Sequence, residues 1–244
     1  MALKNLFDDW LSFAKDKYAD RQWLLSKWEI REGIVWPEKK IRIMMESIVR
    51  GLDLKKDHAL IDLGCGGGWI LNFLNHGLSN PPIGLDFCRP MLESARKLSP
   101  NAAFVQGEIG RLPFKNESFD RVLCYFVLIN MMDDALIFQS ISDIYRIVRK
   151  SGVVLIGQLP DKDRSKMYDK AKADYAAFCE SHYRLGPSIR DVAYMPQKLF
   201  DIPKLRNYLE RSNISYELRP SFNPFYREGE SETVDWRFDL ILKK

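Results

Sequence analysis

The sequence is short of the residue types that carry the simplest chemistries. Among its 244 residues are three histidines and four cysteines, Cys65, Cys88, Cys124 and Cys179. No two cysteines form a CxxC pair, and none is spaced as part of a metal-ligand set, so no metal site and no disulfide framework is expected. They read as reduced, partly buried residues of a cytosolic protein. No apolar run approaches the ~18 residues of a membrane span, and no signal-peptide pattern opens the chain; the expected location is cytoplasmic, away from membranes. Internal repeats and low-complexity linkers are missing as well. Nor does one sign of charge prevail, because 37 basic residues are interspersed with 33 acidic ones, for a net charge of +4. A mixed, solvated surface argues against a nucleic-acid stripe.

What remains is an ordinary globular composition, 46% apolar, in a chain long enough for one large α/β domain. Its most informative stretch is His58 to Gly68, where the apolar run Ala59–Leu63 meets Gly64-Cys65-Gly66-Gly67-Gly68 and a helix-compatible segment, Trp69 to His76, follows. A strand, a glycine turn and a helix in that order present backbone to a nucleotide-like ligand.

Around this stretch the text alternates between strand and helix signals. An amphipathic helix over 3–18 and a second helix opened by Pro37 precede it. Strands are expected at 59–63, 83–87, 103–106, 119–126 and 153–158, with helices at 68–76, 90–98 and about 134–149, the last capped by Asp133. Residues 161–184 read as a charged helix and 186–203 as irregular. A helix over 203–212 and a closing pair of strands, 214–219 and 233–242, complete the chain. The pattern predicts a doubly wound, mostly parallel sheet with antiparallel character at one edge.

Carboxylates mark the ends of the early strands. Asp62 ends the first, Asp86 the second, 20 residues after Gly66, and Glu108 is expected to end the third. At these positions they converge on the crevice where open sheets bind ligands, and Asp86 is placed to accept both hydroxyls of a ribose. A dinucleotide would need a small residue three positions after Gly66; Trp69 stands there and argues against a pyrophosphate cradle.

These residues resemble the class I S-adenosylmethionine-dependent methyltransferases. The likeness rests on Ile61-Asp62-Leu63-Gly64-Cys65-Gly66-Gly67-Gly68, Gly84-Leu85-Asp86, Gln106-Gly107-Glu108 with Leu112-Pro113-Phe114, Ser118-Phe119-Asp120, Ser151 to Ile156 and Phe238 to Leu242. It implies a Rossmann-like seven-stranded sheet with an antiparallel last strand and a helical cap. The corresponding division is an N-terminal helical region over 1–57 acting as a lid, then a cofactor-binding domain over 58–244 with a substrate insertion at 161–202. The resemblance implies that Asp62 and the backbone of Gly64, Cys65, Gly66 and Gly68 surround the methionine moiety of S-adenosylmethionine. Asp86 takes the ribose, Phe87 and Met91 flank the adenine, Glu108 and the Ile109 amide read its amino edge, and Tyr125 borders the sulfonium.

Methyl transfer from a sulfonium needs alignment more than acid–base help, and a base only where the nucleophile must lose a proton. Among the histidines, His58 and His76 read as structural and His182, in the insertion, is the candidate base. Trp36, Asn130, Tyr183, Arg184 and Tyr226 are the candidate acceptor contacts. The expected activity is methyl transfer from S-adenosylmethionine to a small polar molecule, at an oxygen of a glycan or metabolite. A methyltransferase of RNA or protein, and a non-catalytic cofactor-binding protein, are the alternatives. The oligomeric state is not legible.

Overall fold

A computed structural model describes residues 38–183, 197–225 and 229–244. Its elements run α1 (Glu38–Leu52), β1 (Leu60–Leu63), α2 (Trp69–Asn75), β2 (Ile83–Asp86), α3 (Arg89–Leu98), β3 (Ala103–Gln106), β4 (Phe119–Tyr125), α4 (Asp134–Ile147), β5 (Val148–Pro160), α5 (Ser165–Tyr183), α6 (Ile202–Arg211), β6 (Ser215–Phe222) and β7 (Thr233–Lys243). One seven-stranded sheet takes the order β3-β2-β1-β4-β5-β7-β6. The first five strands are parallel, β7 runs antiparallel between β5 and β6, and the closing pair is the expected antiparallel edge.

Strand alternation divides the core. In β4, Val122 and Cys124 face one layer while Leu123 and Tyr125 face the other; β5 repeats this with Val154 and Ile156 against Leu155, and β7 with Leu240 and Leu242 against Ile241. Ile137, Ile141 and Ile144 of α4, with Leu205 and Leu209 of α6, cover the first face. Met44, Met45 and Ile48 of α1, with Leu71 and Leu74 of α2, cover the second. Burial on both faces is why these strands read as near-continuous apolar runs. Helix starts follow the side-chain signals: Asp133 accepts from the Ala135 amide, and Asp201 from the Lys204 amide with Pro203 in the first turn.

Two boundaries differ from expectation. Helix α4 ends at Ile147, and β5 begins at Val148 because Val148 pairs with Phe119 before the register shifts to Arg121 opposite Val153. The charged helix begins at Ser165, after a short 3-10 turn over Lys162–Arg164 that Asp161 caps. In the expected N-terminal region, α1 lies directly on the sheet with Met44, Met45 and Ile48 fully buried, and the expected helix over 3–18 falls outside the described residues. Among the described residues no helix is long and apolar enough to cross a membrane.

Gly84, in the centre of β2, shows how tightly the carboxyl edge is packed. A Cβ there would lie 2.7 Å from Cys65 Sγ and 2.8 Å from Phe104 Cδ1. Gly84→Ala is expected to destabilise the fold by about 1–3 kcal/mol through overpacking, read as a lower urea midpoint at unchanged slope. An unchanged midpoint would show that Cys65 and Phe104 yield freely.

Candidate active site

The site begins where β1 ends. The chain leaves Leu63 and turns at once over the neighbouring strand: the Gly64 and Cys65 amides both donate to the Leu85 carbonyl, at 2.7 and 3.0 Å. Gly64 and Gly68 take left-handed conformations, φ 74° and 80°, which glycine adopts at no steric cost. Space demands glycine there too. A Cβ on Gly64 would fall 2.5 Å from the Val127 side chain, and one on Gly68 2.8 Å from Ala95 Cβ.

This turn delivers the loop to Asp86. The Gly66 amide donates to Asp86 Oδ2 and the Cys88 amide to Oδ1, each at 2.8 Å. Both carboxylate oxygens are thus aimed, and each keeps a lone pair for a ligand hydroxyl. Asp62 is different. It is buried, and no donor among the described residues hydrogen-bonds its carboxylate. Burial, and next the charge of Asp86, push its carboxyl up to about 7. A buried carboxylate near a second carboxylate, with no donor among the described residues, is complementary to a ligand cation. Beside it Phe87 is 73% exposed, so it is not a core residue, and the Met91 methyl lies 3.4 Å from where a Gly66 Cβ would stand. Together they offer an aromatic face and a thioether next to the loop. This set of acceptors and apolar faces suits a ligand with a cationic group, vicinal hydroxyls and a flat ring, which are the parts of S-adenosylmethionine.

Several expected positions fall elsewhere. Glu108 does not end the third strand: the β2–β3 ladder stops at Asp86 opposite Gln106, Gly107 closes onto the Asp86 carbonyl, and Glu108 is exposed at the head of a 3-10 turn over Ile109–Arg111. Asp62 and Asp86 are the carboxylates that interact, and Glu108 stands exposed two residues beyond the strand end. The half-buried Ile109 packs against the core from that turn. Cys65 turns its thiol into the core under the loop, where burial raises its pKa. Tyr125 is buried on the α1 face of the sheet, its hydroxyl 3.3 Å from Gln158 Nε2. It shares a face with Leu123, and the side chain that reaches the glycine loop from the end of β4 is Val127. Asn130 spends its Nδ2 group on the Phe126 and Val127 carbonyls at 2.9 and 3.3 Å, bracing the turn after β4. His58 accepts from the Lys55 amide through Nδ1, and His76 caps α2; both are structural. His182 and Tyr183 lie on the last turn of α5 with side chains outside the described set, and Trp36, Arg184 and Tyr226 fall outside the described residues altogether.

Two features escaped the sequence reading. Gln106 donates to the Phe87 carbonyl at 3.1 Å and holds that exposed ring's backbone. A buried polar group formed by Gln158, Ser221, Arg237 and Asp239 closes the ends of β5, β6 and β7. The signal for it was Gln158 and Asp239 standing inside otherwise apolar strands.

The chain is also similar to known proteins in sequence and in fold. Residues 61–156 match a family model described as a methyltransferase domain. The ubiquinone/menaquinone biosynthesis C-methyltransferase of Campylobacter jejuni is 21% identical over 197 residues, covering 76% of this chain and 77% of that protein. An uncharacterised protein of Methanocaldococcus jannaschii is 26% identical over 121 residues, covering 50% of this chain and 44% of that one. The chain spans half or less of the length of most curated relatives it matches. In fold it is similar to a SAM-dependent methyltransferase of Methanosarcina mazei, with TM-score 0.58 and 17% identity, covering 81% of this chain and 96% of that one.

The raised carboxyl of Asp62 carries a stability signature. Its folded value, about 7, stands above the unfolded one near 3.8, so its contribution is complete below pH ~4 and is lost as pH rises through about 7. Asp62→Asn is expected to raise the melting temperature of the ligand-free protein at pH 8 and to leave it little changed at pH 4. Equal shifts at both pH values would remove the desolvated carboxylate from the account.

Proposed function

We propose, from the match of residues 61–156 to a methyltransferase-domain model and from the groups gathered at the glycine loop, that this chain moves the methyl group of S-adenosylmethionine to an oxygen of a small-molecule acceptor. The observation that carries this reading is the pair at the crevice: Asp62, buried with no donor among the described residues, beside an Asp86 whose two oxygens are already aimed by backbone amides. In this reading Asp62 takes the cationic amino group of the methionine moiety and Asp86 the ribose hydroxyls. Phe87 and Met91 flank the adenine, while Glu108 and the Ile109 amide border its amino edge. Backbone of Gly64, Cys65, Gly66 and Gly68 lines the remainder.

When bound, the cofactor supplies a methyl group on a positively charged sulfur, open to in-line displacement. The chain's own residues align the two partners and exclude water. The post-β4 turn, pressed on Gly64 by Val127 and braced by Asn130, is the wall along which an acceptor would approach. With Nδ2 occupied, Asn130 has Oδ1 left to orient an acceptor hydroxyl. His182 is the proposed base for the hydroxyl proton; Trp36, Tyr183, Arg184 and Tyr226 are the proposed acceptor contacts. Met132 and Leu136, which follow β4, and Met167, which follows β5, are large exposed apolar side chains, and in this reading they suit an acceptor with an apolar portion beside its oxygen. A small-molecule acceptor is also in keeping with the quinone-pathway name of the Campylobacter relative.

Calorimetry with S-adenosylhomocysteine tests the cofactor assignment. Asp86→Ala removes two charge-assisted hydrogen bonds to the ribose and is expected to weaken binding by about 100-fold or more. Unchanged affinity in a folded variant would sink the ribose assignment. A radiolabelled methyl-transfer assay over phenols, sugars and RNA then identifies the acceptor class. On the acceptor found, His182→Ala is expected to lower kcat about 10²–10⁴-fold while leaving S-adenosylhomocysteine affinity intact. Full activity without His182 would assign the proton to another group or to water.

A further inference from the structure

The carboxyl ends of β4 and β5 contain two non-glycine residues in left-handed conformations, Phe126 at φ 60° and Gln158 at φ 69°. Such conformations are uncommon outside glycine and persist only where surrounding structure imposes them. At Gln158 the imposition is visible. The residue is 0% exposed and sits where the β5–β7 register shifts between Ile156 and Leu159. Its amide donates to Asp239 Oδ1 at 3.1 Å, and its carbonyl accepts from Arg237 at 3.1 Å. Its side-chain Nε2 donates to Ser221 Oγ at 2.6 Å and the Phe222 carbonyl at 2.8 Å, and reaches the Tyr125 hydroxyl at 3.3 Å.

Tyr125 is seated on this same pair of residues. A Cβ on Gly157 would lie 2.0 Å from Tyr125 Cε2, so the ring occupies the space that only glycine leaves. From that seat the chain makes its left-handed step at Phe126, whose amide points to the Gly157 carbonyl at 3.4 Å, and then places Val127 against Gly64. Contacts thus run without a gap from the buried polar group, through Tyr125 and the turn, to the first glycine of the cofactor loop.

We propose that Gln158 is a positioning residue for the methyl donor, acting through Tyr125 to hold residues 125–127 against Gly64. This rests on the reading that the glycine loop holds S-adenosylmethionine. Gln158 touches neither reactant; it fixes the floor on which the post-β4 wall stands. Asn130 braces the same turn from the solvent side, so the wall is held at both ends.

The test compares wild type with Gln158→Met, Tyr125→Phe and the double variant, and uses Tyr208→Phe as a control. Tyr208 bonds the Phe138 carbonyl at 2.8 Å between α6 and α4, away from the loop. S-adenosylhomocysteine affinity by calorimetry and melting temperature are measured for each. Gln158→Met and Tyr125→Phe are each expected to weaken binding about tenfold, with the double variant no weaker than the worse single one. Tyr208→Phe is expected to lower the melting temperature and leave Kd within twofold. The proposal is overturned if the Gln158 and Tyr125 variants melt lower yet bind as wild type does, or if their effects multiply in the double variant. Should Gln158→Met fail to fold, Tyr125→Phe, which keeps the ring in its seat, decides alone by the same Kd criterion. A wild-type protein that does not bind S-adenosylhomocysteine at all gives a different signature and overturns the cofactor reading on which this one stands.

Discussion

One carbonyl anchors the site. Leu85 accepts from the amides of both Gly64 and Cys65, and this doubled bond folds the loop back over β2 as soon as β1 has ended. Without it Gly66 would not reach Asp86, and the Asp86 carboxylate would lose one of the two amides that aim it. The left-handed glycines, the thiol of Cys65 under the loop and the bare centre of β2 at Gly84 are all conditions for that fold-back to close. The parallel ladder contributes by holding β1 and β2 in register, Asp62 opposite Gly84 and Leu63 opposite Leu85.

The same edge concentrates strain and buried polarity. Asp62 is ionisable and without a donor among the described residues, Phe126 and Gln158 have left-handed backbones, and Asp239 is fully buried with its pKa raised chiefly by burial. The opposite character prevails within the sheet, where Val122, Ile156 and Leu240 pack without polar atoms. A protein tolerates such costs where a ligand or a geometry requires them.

Much of this was legible from residue order, and the reason is periodicity. Apolar runs between turn residues located all seven strands, and the glycine run marked the turn that folds from the end of β1 onto Asp86, because strand ends and tight turns are set by local chemistry. The third strand was read to its end at residue 106; what residue order did not give is that Glu108 then heads a 3-10 turn over Ile109–Arg111, two residues past the strand. The face that Tyr125 joins was not legible, since one residue decides which side of a strand a side chain takes, and the structure buries it on the α1 face. The Gln158–Ser221–Asp239 group draws on three strands separated in sequence by up to 81 positions, and no local pattern announces such a meeting.

The proton on Asp62 has a consequence for what the crevice will admit. Burial and the charge of Asp86 push that carboxyl up to about 7, so the fold favours the protonated acid more than the unfolded chain does. On the proposed reading, a cationic group arriving beside Asp62 would take the place of that proton, and binding there would be an ion exchange rather than a simple neutralisation. A neutral look-alike would bring no charge to trade. Charge, before shape, is then what the crevice would read at this position.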